Sequence, residues 1–284
     1  MELTDITTIK ALFAKHGFSF TKSLGQNFLI NPAVCPKIAE QGGCTKEVCA
    51  LEIGTGIGVL TKELALRTKK TVAVEIDRGL EPILKETLAE FDNIEIVFAD
   101  IMELDLHRLF KEQFNGEEVV VCANLPYYIT SPVIMRLLEE CLPIRSLTVM
   151  VQREAADRIC APMGTRECGA ITAAVNYYST PRRLFNVSRG SFKPSPNVDS
   201  SVIKLELAQE KKYPQITDEK LFFRMIRAAF SQRRKQLLNP LSTELGMPKS
   251  ALSEKLTKCN IKLTARPEEL KMEDFVALYT AIYV

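Results

Sequence analysis

A chain of 284 residues with 46% apolar and 25% charged residues has the composition of a soluble globular protein, and no apolar stretch approaches the about 18 residues of a transmembrane helix. Eight cysteines without a CxxC pair and only two histidines predict neither a metal site nor a disulfide scaffold, so we expect a cytoplasmic protein. The net charge is +2, but residues 206–284 hold 14 lysines and arginines against 10 acids, which suggests an anionic partner.

The first clear element is a helix in the segment NPAVCPKIAEQGG. Asn31 can cap it, Pro32 suits its first position, and the glycine pair at 42–43 can end it. Strands are then predicted in EVCALEIG, TVAVEID, IEIVFAD, EVVVCAN and SLTVMVQ, and helices in GVLTKELALRTK, GLEPILKETLAEF and TSPVIMRLLEECL. Short apolar strands that alternate with helices predict an α/β fold, with a parallel sheet covered on both faces.

Near YPQITDE the pattern changes to helices only. We therefore predict a catalytic domain at 1–207 and a small all-helical domain at 208–284. The segment TDEKLFFRMIRAAFSQRRKQLLNP is predicted to form one helix that is capped at Thr217 and stops before Pro240. The residues expected on its buried side are Leu221, Met225, Ile226 and Leu237.

The first predicted strand runs into EIGTGIGVLT, where Gly54, Gly56 and Gly58 form a GxGxG pattern. Such glycines let the backbone approach a ligand closely, although about half of these patterns are only tight turns. Glu75 ends the next strand, 21 positions after Gly54, at the spacing that suits a ribose hydroxyl. Asp100 closes the third strand. Polar groups at successive strand ends share one edge of the sheet, which favours a nucleoside-containing cofactor.

A fourth strand ends in Asn124-Leu125-Pro126-Tyr127, a sequence that in isolation is most often a turn. The amino group of adenine is a poor nucleophile because its lone pair is delocalised into the ring. The side-chain oxygen of Asn124 and the carbonyl of Leu125 could each accept a hydrogen bond from one N–H of this amino group. That would pull the nitrogen toward a tetrahedral shape and free its lone pair. Pro126 biases Leu125 toward an extended conformation, and the Tyr127 ring can stack on a flipped-out base. No histidine base is required, because the methylated amine can lose its proton to water.

Eight motifs between Ser23 and Leu241 resemble those of the small-subunit ribosomal RNA adenine dimethyltransferases, the kasugamycin-resistance methylases. They are SLGQNFLI, EIGTGIG, VEID, FADIMELDL, NLPYYITSP, VQREAADRI, FKPSPNVDSSVIKL and FSQRRKQLLNPL, in the family's order. The resemblance implies a Rossmann-like sheet that binds S-adenosylmethionine and releases S-adenosylhomocysteine, without a metal. It also implies dimethylation of N6 on two adjacent adenines in the 3′-terminal hairpin loop of small-subunit rRNA.

The same resemblance implies the residues of the site. The cofactor would be bound by Asn27, Leu29, Gly54, Gly56, Glu75, Asp100 and Asn124. The catalytic motif would be formed by Asn124, Leu125, Pro126 and Tyr127. Phe192, in SFKPSP, is a second possible platform for the flipped adenine, although a core phenylalanine is at least as common at such a position.

Basic residues predict where RNA binds. The segment from Lys220 to Thr243 carries six positive residues and no acid, and most such helix faces are only solvated. The family resemblance favours phosphate contact with marked salt dependence. The residues predicted to bind RNA are Lys22, Arg224, Arg227, Arg233, Arg234 and Lys235. The expected partner is small-subunit rRNA within a pre-30S-type particle. We expect the protein to act as a monomer and not to bind a membrane.

Two alternatives remain open at the level of sequence. An erythromycin-resistance methylase modifies one adenine of large-subunit rRNA with the same chemistry, but it often has Ile where this chain has Leu125. A small-subunit assembly factor could bind immature particles, with methylation incidental. The FSQRRKQLLNPL motif after a proline-rich stretch favours the small-subunit enzyme.

Overall fold

The computed structural model of the chain describes residues 1–18, 27–232 and 235–284. The strands in these residues are β1 (Phe28–Leu29), β2 (Cys49–Ile53), β3 (Lys70–Glu75), β4 (Ile94–Phe98), β5 (Val119–Asn124), β6 (Ile144–Gln152), β7 (Ser179–Val187), β8 (Phe192–Lys193) and β9 (Ser200–Leu207). The α-helices are α1 (Ile6–His16), α2 (Val34–Gly42), α3 (Val59–Arg67), α4 (Glu81–Thr87), α5 (Leu106–Gln113), α6 (Thr130–Glu139), α7 (Arg153–Ile159), α8 (Ala170–Tyr178), α9 (Glu219–Phe230), α10 (Leu238–Leu245), α11 (Lys249–Lys258) and α12 (Met272–Tyr283).

The residues group into two units, each with its own packing. The first unit comprises Met1–Ala156 and Arg182–Leu207, and the second comprises Asp157–Pro181 and Ala208–Val284. Residues 157–181 thus group with the helical second unit, whereas the sequence placed them in the 1–207 domain. Within the described residues, no helix has both the length and the apolar character needed to cross a membrane.

The first unit is built on a seven-stranded sheet in the order β4-β3-β2-β5-β6-β9-β7. The five strands from β4 to β6 are parallel, as predicted, and β2 is buried along its whole length. Strand β9, which was not among the predicted strands, pairs antiparallel with β6. A parallel neighbour needs a crossover to the opposite edge, but β9 starts at the carboxyl edge of β6, where Ser200 pairs with Gln152.

The strand order reverses between β2 and β5. The chain continues from β2 to β3 and β4 on one side, and then returns to place β5 and β6 on the other side of β2. The carboxyl ends of β2 and β5 therefore lie side by side, with Ile53 opposite Ala123. In open α/β sheets, ligands bind in the crevice outside the strand ends at such a reversal. The fold thus places Gly54 and Asn124, the residues that follow these two positions, at one crevice.

Two helix boundaries differ from those predicted. Helix α2 starts at Val34 rather than Pro32, because the Asn31 side chain accepts a hydrogen bond from the Ala33 N–H at 3.1 Å and forms a turn before the helix. Its predicted end is confirmed: Gly42 is the last helical residue, and Gly43 follows in the left-handed conformation with φ +85°.

The single helix predicted from Thr217 to the residue before Pro240 is wrong. Helix α9 is capped by Asp218, whose side chain accepts from the Leu221 N–H, and it ends at Phe230. Helix α10 contains Pro240 within its first turn. Directly before α10, the Leu237 N–H donates to the Ala265 carbonyl at 2.8 Å, so a tertiary hydrogen bond anchors the start of this helix.

The core of the second unit is a cluster of aromatic rings. Tyr177 contacts Phe222 and Phe223 with centroid separations of 5.5 and 5.2 Å, and Phe222 contacts Tyr279 at 5.8 Å. The phenol oxygen of Tyr279 also accepts the Asp218 N–H at 2.9 Å. Edge-to-face ring pairs contribute about 0.5–1.5 kcal/mol beyond the burial of their area. These contacts join α8, α9 and α12 into one helical body.

The interior of the first unit contains an acid without a partner. Glu52 lies on β2, is 1% exposed, and neither of its carboxyl oxygens has a hydrogen-bond partner among the described residues. Burial raises the pKa of Glu52 well above its ordinary value, the nearby Thr61 hydroxyl acts in the opposite direction without forming a hydrogen bond of good geometry, and the charge of Glu75 raises the pKa further. Burying an ionised carboxylate without a partner is very costly, so the group is neutral in the folded protein.

We predict that Glu52→Gln makes the protein more stable than the wild type as pH rises. In the unfolded chain Glu52 ionises near pH ~4.3, whereas in the folded chain it stays protonated to higher pH, so the wild-type free energy of unfolding falls across this interval. The difference between the two proteins should grow by up to about 1.4 kcal/mol per pH unit. Urea unfolding of both proteins at pH 5, 6, 7 and 8 measures it. A difference that stays constant over this range contradicts the prediction.

Candidate functional site

A cavity of about 230 Å³ opens at the carboxyl edge of the sheet, beside the reversal between β2 and β5. It receives residues from the ends of β2, β3 and β5, from the segment after β4, and from β1. All the residues predicted to bind a cofactor line it: Asn27, Leu29, Gly54, Gly56, Glu75, Asp100 and Asn124. The predicted catalytic residues line it as well, namely Asn124, Leu125, Pro126 and Tyr127.

The turn after β2 needs its glycines for two different reasons. Gly54 and Gly56 adopt φ values of +79° and +57°, in the left-handed region that residues with a side chain rarely enter. A Cβ on Gly54 would lie 3.8 Å from the backbone oxygen of Asn124, so the turn passes close to the end of β5. Gly58 also has a positive φ, +92°, and in addition a Cβ on it would lie 3.0 Å from the Leu88 side chain. Gly58 therefore allows internal packing, whereas Gly54 and Gly56 border the cavity.

Glu75 fixes the shape of this turn. One carboxylate oxygen accepts the Gly56 N–H at 2.9 Å, and the other accepts the Asp77 N–H at 2.9 Å. Its side chain is 5% exposed, and burial raises the pKa of Glu75, while these two backbone hydrogen bonds act in the opposite direction. Each carboxylate oxygen can accept a second hydrogen bond. The acid can therefore hold the turn and still accept a hydroxyl of a ligand.

Apolar residues follow the two acids at the cavity. Ile76 comes directly after Glu75 and is 51% exposed, and Met102 comes two residues after Asp100 and is 38% exposed. The Asp100 side chain accepts the Met102 N–H at 2.8 Å, which holds this segment against the cavity. Acceptors beside exposed apolar side chains suit a flat nucleoside, which has polar edges and apolar faces. The sequence did not single out Ile76 or Met102, although their positions after the acids were visible.

Buried contacts hold the end of β5 on both sides. Asn124 is the last residue of the strand and pairs with Met150, and the Leu125 side chain is only 2% exposed. The Tyr127 hydroxyl lies 2.8 Å from the Ser200 hydroxyl on β9, and burial raises the pKa of Tyr127. The strand end thus has a fixed backbone, and the Tyr127 ring is tied at its far end to the sheet.

The Phe192 ring is mainly a core residue that reaches the cavity. It is 3% exposed and belongs to a buried cluster with Leu29 and Val34, while β1 and β8 pair Leu29 with Phe192. A role in stacking on a base stays a prediction. Glu52, which the sequence did not single out, also lines the cavity with its unpaired carboxyl group. Whether a buried carboxyl group has a hydrogen-bond partner depends on the tertiary structure, and no sequence motif predicts it.

The residues predicted to bind RNA lie in the second unit or outside the described residues. Arg224, Arg227 and Lys235 are exposed. Arg224 donates to the Glu244 carbonyl at 3.0 Å, and its Nε lies 3.9 Å from the Glu244 carboxylate, so part of its charge is already balanced. Lys22, Arg233 and Arg234 lie outside the described residues. Arg224 and Arg227 lie on α9, which ends at Phe230, and Lys235 lies beyond it.

Nearly the whole chain is similar to known proteins of one family. The family model for ribosomal RNA adenine dimethylases matches residues 17–282. Proteins named ribosomal RNA small subunit methyltransferase A, from Bacillus mycoides and Bacillus cereus, are each 46% identical over 287 aligned positions. The alignments cover 99% of this chain and 98% of each relative.

Solved structures give the same fold. A dimethyladenosine transferase from Plasmodium falciparum is 25% identical, with a TM-score of 0.73, over 88% of this chain and 95% of that protein. A 23S rRNA methyltransferase is also 25% identical, with a TM-score of 0.68, over 90% of this chain and 99% of that protein. The fold is therefore common to both enzyme classes that the sequence left open. By the match of the family model and the identity to its relatives, this chain belongs to the ribosomal RNA adenine dimethylase family.

Proposed function

We propose that this protein transfers methyl groups from S-adenosylmethionine to N6 of two adjacent adenines in the 3′-terminal hairpin loop of small-subunit rRNA, giving N6,N6-dimethyladenosines. One observation carries the proposal: a single cavity joins the Asn124–Tyr127 motif to the acids and glycines of a nucleoside site. The relatives that are 46% identical are named for the small subunit, which favours that substrate over large-subunit rRNA.

The residues of the cavity fit S-adenosylmethionine. Glu75 keeps free acceptor capacity for ribose hydroxyls, and Ile76 and Met102 offer apolar surface to an adenine ring. Glu52 offers a buried carboxyl without a partner, which suits the positive charge of the cofactor. When bound, the cofactor supplies a methyl group on a positively charged sulfur, which makes that carbon reactive. Asn27, Leu29, Gly54, Gly56 and Asp100 would complete its binding site.

The protein's own task is to prepare and align the adenine amine. The Asn124 side-chain oxygen and the Leu125 carbonyl would each accept a hydrogen bond from an N6–H group. These two hydrogen bonds would draw the nitrogen toward a tetrahedral shape and make its lone pair available. The lone pair would then be free to bond to the methyl carbon that a cofactor held in this cavity would supply, and the cofactor's sulfur would keep the electrons of its bond to that carbon. The amine proton passes to water. Correct placement of the reacting atoms can lower the barrier by several kcal/mol, up to about 7–11.

Two further features of the proposal concern the RNA. Tyr127 would stack on the flipped adenine, with its hydroxyl held by Ser200 so that the ring keeps one orientation. The exposed cations of the second unit, Arg227 and Lys235 among them, would contact phosphates, together with Lys22, Arg233 and Arg234. We propose that the protein acts as a cytoplasmic monomer on a pre-30S-type particle.

The central test uses purified protein, labelled S-adenosylmethionine and unmethylated ribosomal subunits. We expect label in small-subunit rRNA and stops of reverse transcription at two neighbouring adenines, because two methyl groups block the pairing edge of the base. Purified large subunits serve as the matched control. Label that enters only large-subunit rRNA would move the protein to the large-subunit class.

We predict that Asn124→Ala lowers the rate constant of methyl transfer by about 10²–10³-fold, the usual effect of removing one polar group that stabilises a transition state. Affinity for S-adenosylhomocysteine should fall much less, because other cavity residues bind it. Single-turnover kinetics and calorimetry measure the two quantities separately. Equal losses in transfer and binding would assign Asn124 to the cofactor alone.

We predict that Glu75→Gln mainly weakens cofactor binding. A glutamine oxygen can accept from one of the two N–H groups, of Gly56 or Asp77, but its NH₂ group would face the other. A ribose hydroxyl would also lose a charged acceptor, and a hydrogen bond to a charged group contributes about 1.5–3 kcal/mol, which corresponds to about a 10- to 150-fold loss of affinity for S-adenosylhomocysteine. Transfer at saturating cofactor should fall less than in Asn124→Ala. The reverse order of effects would contradict both assignments.

A further inference from the structure

Tyr128 is an exposed aromatic ring beside the catalytic motif. Its side chain is 61% exposed, and no other Phe or Tyr in residues 1–18, 27–232 and 235–284 belongs to the exposed class. Aromatic side chains usually bury about 150–250 Å² each, so an exposed ring gives up much of the stabilisation that burial provides. Nothing in the packing of the first unit requires an aromatic residue at this position.

The backbone on both sides of Tyr128 is fixed. The preceding residue, Tyr127, is tied by its hydroxyl to Ser200 at 2.8 Å. The Pro126 carbonyl accepts two hydrogen bonds, from the Ile129 N–H and the Thr130 hydroxyl, both at 3.2 Å. Helix α6 begins at Thr130. The exposed ring is therefore carried by a rigid turn between a strand and a helix, and its position is well defined.

Tyr128 also lines the cavity that holds Asn124 and Tyr127. A side chain that borders the cavity and is mostly exposed lies at the mouth. The other exposed apolar residues of the cavity, Ile76 and Met102, follow the acids proposed to bind the cofactor. Tyr128 instead follows directly on the residue proposed to stack on the target base.

We propose that Tyr128 is a stacking platform for the nucleobase next to the adenine in the cavity. This inference rests on the proposed function, in which the target adenine has a second target adenine as its neighbour. When one adenine turns into the cavity, the neighbour loses a stacking partner. Stacking of a base on an aromatic side chain contributes about 1–3 kcal/mol. The ring would restore that contact and hold the strand in register.

Stacking suits a neighbouring adenine that is itself methylated during the reaction. The faces of an adenine ring stay available for stacking whether N6 carries no, one or two methyl groups, whereas a hydrogen bond to N6–H would be lost. The same ring can therefore hold the neighbouring base before and after that base has been modified. Either adenine could be modified first without loss of this contact.

The test compares four full-length proteins: wild type, Tyr128→Phe, Tyr128→Ala and Leu66→Ala. Leu66 is 49% exposed on α3 and serves as a control for removing an exposed apolar side chain. The substrates are unmethylated small subunits whose rRNA carries a ligated synthetic 3′ segment. In one substrate both adenines are present, and in the other the neighbour of the target is an abasic nucleotide. KM and kcat for subunits are measured, with calorimetry of S-adenosylhomocysteine binding.

With both adenines present, we expect Tyr128→Ala to raise the KM for subunits at least about fivefold, the lower end of the stacking contribution. Tyr128→Phe and Leu66→Ala should match the wild type. With the abasic neighbour, wild type and Tyr128→Ala should have the same KM, because no base is left to stack. Binding of S-adenosylhomocysteine should be equal in all four proteins.

Three results would contradict the proposal that Tyr128 stacks on the neighbouring base, while leaving the proposed function in place. They are an unchanged KM for Tyr128→Ala, an equal effect of this variant on both substrates, and a loss that appears in S-adenosylhomocysteine binding instead. The last result would assign the ring to the cofactor site. Wild-type protein that transfers no methyl group to small subunits would overturn the proposed function itself, and this inference with it.

Discussion

The close approach of the glycine turn to the end of β5 is the constraint on which the site depends. Gly54 lies against the Asn124 carbonyl with a φ of +79°, which a residue with a side chain rarely adopts, and the carboxylate of Glu75 ties the same turn to the end of β3. Three strand ends are thereby held in one arrangement before any ligand arrives. Such preorganisation matters because methyl transfer requires little chemistry from the protein beyond alignment of two reactants.

The cavity is also where the structure departs from the rule that buried polar groups are paired. Glu52 lies on β2 with both oxygens unpaired, and its pKa is raised by burial. An unsatisfied acid in a core opposes folding, and a ligand that supplied a charge or donor beside it would offset that cost. Stability of the empty protein and affinity for a cationic ligand are therefore coupled through this one side chain.

Local patterns in the sequence predicted much of the fold and most of the cavity. The apolar runs that became β2, β3, β5 and β6 are largely buried, whereas β4 at the edge of the sheet is only partly buried, and the turn after β2 requires glycine for its positive φ angles. Because parallel strands end at one edge, residues such as Glu75 and Asn124 could be placed together without coordinates. Roles for these residues came from resemblance to a family, since spacing alone supports several ligands.

The tertiary structure determined the features that depend on contacts between residues far apart in the chain. Helix α9 ends at Phe230 although the local pattern continues, and the Leu237 N–H, directly before α10, bonds to the Ala265 carbonyl of a distant segment. Ser200 holds the Tyr127 hydroxyl across 73 positions, while Tyr128 has almost the same local sequence and is exposed. Sequence determines which conformations a segment favours, but burial and hydrogen bonding depend on which segments meet. That is why the strand ends were predictable and the environments of Glu52 and Tyr128 were not.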